Sequence, residues 1–228
     1  MARTVAGLVP FTSIDFPGYL AAVIFFQGCP SRCPFCHNPN LQPLTESLET
    51  WEDTLAFLKT RKKRLDGVVM SGGEPLMQSD IKTMLQQLKE LGFKTAVHTS
   101  GVYPDRLREI LSLLDWVGLD IKGPWDKYDI LSGRKKMAEK VQESLKILIE
   151  SGLDFECRTT CDPKHLTSAD TLQIAKDLKA LGVKTYALQK YHTFPEDENP
   201  PSVLDIESFF TNKALAPIQK LYPNLIIR

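Results

Sequence analysis

The sequence has 228 residues, 43% of them hydrophobic and 25% charged, which are the proportions of an ordinary globular protein with a sizeable core. Its 28 Lys and Arg residues balance its 28 Asp and Glu residues, so no excess of charge favours nucleic acid or an anionic membrane. The longest apolar run, Leu20–Phe26, is too short to span a bilayer, and Met1–Thr4 leads into no apolar signal segment. We therefore expect a cytoplasmic protein that binds neither nucleic acid nor a membrane.

Apolar segments rich in β-branched and aromatic residues alternate with segments of helical periodicity. The predicted strands are Tyr19–Gln27, Gly67–Ser71, Lys94–His98, Trp116–Ile121, Asp154–Thr160 and Thr185–Gln189, with a last short strand over Asn224–Arg228. The predicted helices are Trp51–Lys62, Ser79–Leu91, Pro104–Leu113, Ala138–Ser151 and Ser168–Leu181, with one or two more over Asp205–Leu221.

This alternation predicts a mostly parallel sheet with right-handed crossover helices. Six strand–helix units are too few for the eight that close a full barrel. The expected fold is therefore α/β, a partial and open six-strand parallel (β/α)6 barrel, as a single domain over residues 1–228. Gly28–Ser47, which holds the clustered cysteines, and Tyr191–Val203, which contains several prolines and charges, are predicted loops. Because the alternation continues through both, neither is expected to be an interdomain linker.

Three of the five cysteines, Cys29, Cys33 and Cys36, lie within eight consecutive residues after the first predicted strand. An odd number of thiols in a chain without secretory features favours metal or redox chemistry over disulfides. Thiolates bind zinc and iron–sulfur clusters, and a site with only three of them keeps a position open for chemistry. Two alternatives are a structural zinc site with His37 as a fourth ligand and a chance proximity of the three thiols.

The other two cysteines, Cys157 and Cys161, fall on one predicted strand. Four residues of extended chain span about 13 Å, which is beyond the reach of a disulfide. No further thiols are present to build a second cluster. We therefore expect buried structural thiols here.

A second motif, Gly72-Gly73-Glu74-Pro75, directly follows a predicted buried strand. Two glycines at the end of a strand allow a ligand to approach the backbone closely, and a neighbouring carboxylate can accept hydrogen bonds from an ammonium group. Taken alone, the motif could equally be a tight turn with an acidic helix cap.

Together, the cysteine motif with Phe35 before its last thiol and the Gly72–Pro75 motif resemble the radical S-adenosylmethionine superfamily. Within it, Phe25–Cys29 and Cys36–Pro39 resemble the glycyl-radical-enzyme activases. From Gly7 to about His192 the chain is similar to the anaerobic ribonucleoside-triphosphate reductase activating proteins and to the pyruvate formate-lyase activating enzymes.

The resemblance implies that Cys29, Cys33 and Cys36 bind three irons of a 4Fe–4S cluster and carry the catalytic centre. The fourth iron would chelate the amino and carboxylate groups of S-adenosylmethionine. The cofactor contacts that it implies are Phe35 and the Cys36 and His37 backbone near the adenine, Gly73 and Glu74 at the ammonium, Asp120-Ile121-Lys122 with Lys122 at the carboxylate, and Arg158 and His192 at further positions.

Two further segments bear on this resemblance. Ser13–Gly18 aligns with a segment that lies near the bound partner peptide in the activases. His98 stands where the formate-lyase activases carry an acidic residue that helps to hold a monovalent cation. Because histidine is a poor ligand for sodium or potassium, the sequence puts that cation site in doubt.

The positions of these residues indicate a ligand site independently of the family resemblance. Gly72–Pro75, His98–Gly101, Asp120–Lys122, Arg158–Thr160 and Gln189–His192 all fall at carboxyl ends of predicted parallel strands, where α/β folds assemble ligand sites. A lattice of structural ion pairs is the alternative for Lys122 and Arg158, and an ordinary surface position is the alternative for His192.

The implied function is that of an activase. A donor such as flavodoxin or ferredoxin would reduce the cluster, and cleavage of S-adenosylmethionine would give a 5′-deoxyadenosyl radical that abstracts hydrogen from a glycine of a glycyl-radical enzyme. The partner that the resemblance favours is anaerobic ribonucleoside-triphosphate reductase. Two alternatives stay open: a small-molecule radical enzyme such as a 7-carboxy-7-deazaguanine synthase, and a zinc-stapled binding module without turnover.

Overall fold

A computed structural model describes residues 5–45, 49–193 and 199–228. Its strands are β1 Val5–Thr12, β2 Ala21–Phe26, β3 Gly67–Gly72, β4 Lys94–Thr99, β5 Trp116–Asp120, β6 Phe155–Cys161, β7 Tyr186–Lys190 and β8 Ile226–Ile227. Its helices are α1 Trp51–Arg61, α2 Ile81–Glu90, α3 Pro104–Ile110, α4 Tyr128–Ser132, α5 Met137–Ser151, α6 Ser168–Ala180, α7 Val203–Glu207 and α8 Asn212–Leu221, together with short 3-10 turns.

The strands form one sheet in the order β1 to β8, in which β1 pairs antiparallel with β2 and every later pair is parallel. Strands β2 to β7 are the six predicted strands. No pairing joins β1 to β8 among the described residues, so the sheet stays open. The predicted open α/β barrel is confirmed.

The two faces of the sheet are buried in different ways. The outer face packs against the helices in a large core that includes Ile24, Met70 and Val97. The inner face carries a smaller cluster near the amino-terminal ends of the strands, where Phe16 packs against Tyr19 and Trp116 with ring centroids 4.8 and 6.1 Å apart. This cluster fills the lower half of the barrel, and the carboxyl-terminal half remains for polar side chains.

Strand β1 is absent from the sequence prediction because Gly7 and Pro10 both argue against a strand. Its pairing with β2 shifts register between Val9 and Thr12, which accommodates Pro10 in an irregular part of the ladder. Its place at the edge of the sheet further tolerates a residue that lacks an N–H donor.

Other differences concern the ends of elements. The short helix α4 was not predicted, and the predicted helix over Asp205–Leu221 is divided into α7, a 3-10 turn and α8. Parts of the two predicted loops, residues 46–47 and 194–198, lie outside the described residues, as does the Met1–Thr4 segment. Among the helices that the structure describes, none has the length and apolar character needed to cross a membrane.

Candidate active site

A cavity of about 250 Å³ lies inside the barrel at the carboxyl-terminal ends of the parallel strands. Each of β2 to β7 contributes to its wall, through Phe25, Ser71, His98, Asp120, Arg158 and Gln189. The predicted site residues that line it are Cys29, Cys33, Phe35, Cys36, His37, Gly73, Asp120, Ile121, Lys122 and Arg158. Glu74 and His192 lie beside the cavity and do not line it.

The loop that carries the three cysteines is held by hydrogen bonds between its beginning and its end. The amide of Gly28 donates to the carbonyl of Leu41 at 2.8 Å, and the amide of Cys29 donates to the carbonyl of Gln42 at 3.0 Å. The buried Gln27 side chain donates to the carbonyls of Asn40 and Pro43 at 2.9 and 2.7 Å. These bonds fold the loop over the end of β2, so that the cysteines point towards the barrel.

Gly72 and Gly73 allow the turn after β3 to press against this loop. Gly72 has a φ of +114°, and a Cβ atom there would lie 2.2 Å from the amide nitrogen of Phe26. A Cβ atom on Gly73 would lie 2.2 Å from the carbonyl oxygen of Gly28. A side chain at Gly73 would collide with the cysteine loop and one at Gly72 with the end of β2, so both glycines are required by close backbone approach.

The carboxylate of Glu74 is fully buried and accepts four hydrogen bonds. Oε1 accepts from the Thr99 hydroxyl at 2.7 Å and from the amide of Leu76 at 3.1 Å. Oε2 accepts from the Ser100 amide at 2.8 Å and the Ser100 hydroxyl at 2.5 Å. Burial raises the pKa of Glu74, although Ser100 and Thr99 counter that effect. The side chain thus ties the end of β3 to the end of β4.

Asp120 is held by a neighbouring guanidinium. Nε and Nη2 of Arg158 donate to Oδ1 of Asp120 at 2.9 and 2.7 Å. Burial alone would raise the pKa of Asp120, but Arg158 and then Lys122 lower it, so the carboxylate is charged.

Lys122 differs from Arg158 because its ammonium forms a long ion pair with Asp120 but no hydrogen bond. Its ammonium nitrogen lies 3.9 Å from Oδ2 of Asp120 and makes no hydrogen bond to any described residue. Burial would lower its pKa, but Cys33 and Asp120 raise it above the usual value. The cavity therefore contains a charged ammonium with free donors, which is a receptor for an anionic group.

His98 is neutral and fixed. Its Nε2 lies 2.8 Å from the carbonyl oxygen of Asp15, so this nitrogen carries the proton and donates it. Burial, followed by the charge of Arg158, lowers the pKa of His98 to about 3. A neutral imidazole that donates to a backbone carbonyl offers no anionic ligand to a cation on that side of the cavity.

Two thiols of the loop, those of Cys29 and Cys33, are protonated in the absence of a metal. Burial and the charge of Glu74 raise the pKa of Cys29 to about 11, and burial also raises that of Cys33. Within the described ranges, no three His, Cys, Asp or Glu side chains converge as they would around a single metal ion.

His37 and His192 lie together at the rim of the cavity. Their ring centroids are 5.6 Å apart, and the His192 amide donates to Nε2 of His37 at 3.5 Å. Burial lowers the pKa of His37. Phe35 is buried and lies 6.0 Å, centroid to centroid, from the ring of His165.

Cys157 and Cys161 lie apart from this site, fully buried in β6 within the outer core. Burial raises the pKa of Cys161 to about 12 and raises that of Cys157 as well. The predicted burial of both thiols is confirmed.

Sequence reasoning missed several residues that shape the site. Gln27 ends an apolar strand and Ser100 follows one, which is the signal that could have identified both, since buried polar groups need partners. Arg32 carried no such signal. Its Nη1 donates to the carbonyls of Cys29 and Ser31 at 2.6 and 2.8 Å, which fixes the loop between two of the cysteines.

Comparison with known proteins agrees with this geometry. A family model described as the Radical SAM superfamily matches residues 23–178. A protein of Methanocaldococcus jannaschii whose name describes a glycyl-radical enzyme activating enzyme is 30% identical over 241 aligned positions, covering 100% of this chain and 97% of that protein. The pyruvate formate-lyase-activating enzyme of Clostridium pasteurianum is 34% identical over 189 positions, covering 79% of this chain and 78% of that enzyme.

Solved structures show the same fold. A radical SAM methyltransferase from Sphaerobacter thermophilus superposes with a TM-score of 0.72 at 17% identity, covering 96% of this chain and 68% of that one. SuiB from Streptococcus suis, bound to S-adenosylmethionine, gives a TM-score of 0.67 at 16% identity. That alignment covers 89% of this chain, which spans about half the length of SuiB, 48%.

Proposed function

The chain belongs to the radical SAM superfamily, as an enzyme of the type that activates glycyl-radical enzymes, and on this premise we propose how its residues serve that activity and which partner it activates. One observation carries the proposal: three loop cysteines, the Lys122 ammonium, which makes no hydrogen bond to the described residues, and a fixed carboxylate–guanidinium pair line a single cavity at the carboxyl ends of parallel strands.

The thiols fit a 4Fe–4S cluster. Cys29, Cys33 and Cys36 all line the cavity, and thiolates are the ligands that such clusters require. In a cubane cluster each cysteine binds a different iron, so the side chains need not converge on one point as they do around zinc. We assign these three residues as the cluster ligands, within a single domain that spans the chain.

The polar walls fit S-adenosylmethionine. Lys122 presents free donors for the carboxylate, and Asp120 and Arg158 hold each other in a fixed orientation beside it. We assign the turn of Gly73 to the methionyl ammonium through its backbone. Glu74 then acts by positioning that turn, because its four acceptor sites are taken by its own chain.

We assign the remaining predicted contacts to the adenine of S-adenosylmethionine. Phe35, Ile121 and the backbone of Cys36 and His37 form the wall opposite the glycine turn, and His192 lies against His37 at the rim. When bound and reduced, the cluster supplies the electron that cleaves S-adenosylmethionine into methionine and a 5′-deoxyadenosyl radical. The protein's part is to orient the cofactor and to exclude water, for which the apolar cluster around Phe16 and Trp116 closes the barrel from below.

The open sheet suits a polypeptide substrate. Among the described residues no pairing closes the sheet between β1 and β8, and Asp15 lines the cavity. The segment before Asp15 exposes apolar side chains: Phe11 is 56% and Ile14 69% exposed. An extended loop bearing a glycine can enter where a closed barrel would exclude it. We assign Ser13–Gly18 to the surface that this loop meets.

The partner that we propose is an anaerobic ribonucleoside-triphosphate reductase, with a flavodoxin or ferredoxin as the one-electron donor. The test is electron paramagnetic resonance on the cluster-loaded protein mixed anaerobically with reductant, S-adenosylmethionine and the reductase. A stable glycyl doublet on the reductase is expected. A doublet formed only with another glycyl-radical enzyme would retain the chemistry and overturn the partner. Cofactor cleavage stimulated only by a small heterocycle would overturn both.

A further inference from the structure

The hydroxyl of Ser31 is a buried donor without an acceptor. Ser31 lies between Cys29 and Cys33, lines the cavity and is only 1% exposed. Its Oγ makes no hydrogen bond to any residue in the described part of the chain. Buried hydroxyls almost always have a partner, so this one calls for a group that the protein itself does not supply.

The loop gives Ser31 little freedom to turn away. Its carbonyl accepts from Nη1 of Arg32 at 2.8 Å, and the same nitrogen donates to the carbonyl of Cys29 at 2.6 Å. The amide of Arg32 in turn donates to the carbonyl of Ser132 at 2.9 Å. The backbone on both sides of the hydroxyl is therefore fixed, and the side chain stays on the cavity wall.

No described residue accepts the hydroxyl proton. Lys122 and Arg158, which also line the cavity, are donors only. The carbonyls of Cys29 and Ser31 accept from Arg32 and make no bond to this hydroxyl. The missing acceptor must therefore belong to a group bound in the cavity. The bound group nearest to Cys29 and Cys33 would be the cluster that they ligate.

We propose that Ser31 Oγ donates a hydrogen bond to a sulfur of the cluster held by Cys29, Cys33 and Cys36, and thereby makes that cluster easier to reduce. The inference rests on the proposed function, which supplies the cluster. Reduction adds negative charge to the cluster, and a donor to one of its sulfurs stabilises the reduced state more than the oxidised one. Ser31 is a positioning and tuning residue and takes no part in bond cleavage.

The experiment compares Ser31→Ala with Ser31→Thr, which keeps the hydroxyl, and with Ser144→Ala. Ser144 is an equally buried serine whose hydroxyl donates to the carbonyl of Gly101 at 2.6 Å, so this variant controls for loss of a buried hydroxyl elsewhere. Each protein is loaded with iron and sulfide anaerobically. Its cluster is then titrated with reductant without S-adenosylmethionine, and the reduced cluster is followed by electron paramagnetic resonance.

We expect Ser31→Ala to shift the reduction equilibrium about tenfold towards the oxidised cluster, which for a one-electron couple is about 59 mV to lower potential. Ser31→Thr and Ser144→Ala should titrate like the unmodified protein. In deuterium oxide, the unmodified protein should also show an exchangeable deuteron coupled to the reduced cluster that Ser31→Ala lacks.

An unchanged potential in Ser31→Ala would overturn the proposal. So would a loss of S-adenosylmethionine affinity without a change in potential, because the acceptor would then be the cofactor. If Ser31→Ala fails to take up a cluster, Ser31→Gly provides the same comparison, and the deuteron coupling in the unmodified protein decides if both fail. Failure of the proposed function is distinct, since the unmodified protein would then hold no cluster to titrate.

Discussion

The two groups of cysteines in this chain meet different surroundings. Cys29, Cys33 and Cys36 lie in a loop that folds over the end of β2 and line a polar cavity. Cys157 and Cys161 alternate along β6 and pack into the core against the helices. The presence of cysteine alone therefore does not make a metal site. A thiol becomes a candidate ligand when its backbone is irregular enough to turn several thiols towards one cavity.

The same distinction extends to charged side chains. Lys122 faces the cavity 3.9 Å from Oδ2 of Asp120 and makes no hydrogen bond to the described residues, whereas Lys127, on the surface nearby, is bonded to Asp170 at 2.6 Å. An ammonium with unused donors in a buried cavity is a candidate for binding a ligand.

The largest expected effect separates the two cysteine groups directly. Cys33→Ala should abolish uptake of the 4Fe–4S cluster, because only three thiols reach the cavity, whereas Cys161→Ala should bind it normally. Iron and sulfide content after anaerobic reconstitution measures both. Stoichiometric zinc in place of iron in the anaerobically isolated protein would contradict the cluster assignment.

The next effect compares Lys122 with Lys127 in the binding of S-adenosylmethionine. Lys122→Ala should weaken S-adenosylmethionine binding by roughly 10- to 150-fold, as expected for a lost charge-assisted bond of about 1.5–3 kcal/mol, with the cluster intact. Lys127→Ala, which removes an exposed ion pair, should bind like the unmodified protein. Calorimetric titration measures both affinities, and equal affinity in Lys122→Ala would assign that residue to a structural ion pair.

A third effect tests whether the buried carboxylate of Glu74 has a structural role. Glu74→Gln replaces two acceptor oxygens with one oxygen and an amide that faces the Ser100 donors, so unfolding should cost about 1–3 kcal/mol less. Urea denaturation of the cluster-free protein measures this. Glu90→Gln, on the exposed end of α2, is the control and should leave stability unchanged. If Glu74→Gln is equally stable, the carboxylate does not tie β3 to β4.

A fourth effect is a pH dependence from His98, whose ring faces Arg158, Asp120 and Trp116. Its pKa falls from 6.5 to about 3 on folding. Between these values the unfolded chain holds a proton that the folded chain lacks, so the contribution of His98 is complete above pH 6.5 and is lost as the pH falls towards 3.

His98→Gln keeps a donor for the Asp15 carbonyl and removes the titrating group. The free energy of unfolding should therefore decline less steeply in this variant as the pH is lowered below about 6.5, which chemical denaturation at several pH values measures. An identical decline in both proteins would show that His98 is not buried in its neutral form.

The sequence was informative wherever the signal is local. The six parallel strands follow from apolar runs bounded by turns, and the cysteine loop follows from spacing over eight residues. The bonds of Glu74 to Ser100 and of Asp120 to Arg158 could not be assigned from the sequence, because these partners lie 26 and 38 residues away and depend on how neighbouring strands align. Strand β1 was missed for the same reason, since only its pairing with β2 overrides Gly7 and Pro10.

Electron paramagnetic resonance of the reduced, cluster-loaded protein, recorded before and after addition of S-adenosylmethionine, tests whether the loop cysteines hold a cluster with one iron open to the cofactor inside the cavity. We expect the spectrum of the cluster to change on addition, and we expect this change to require a larger concentration of S-adenosylmethionine in Lys122→Ala. A cluster spectrum that is identical with and without S-adenosylmethionine would contradict this assignment.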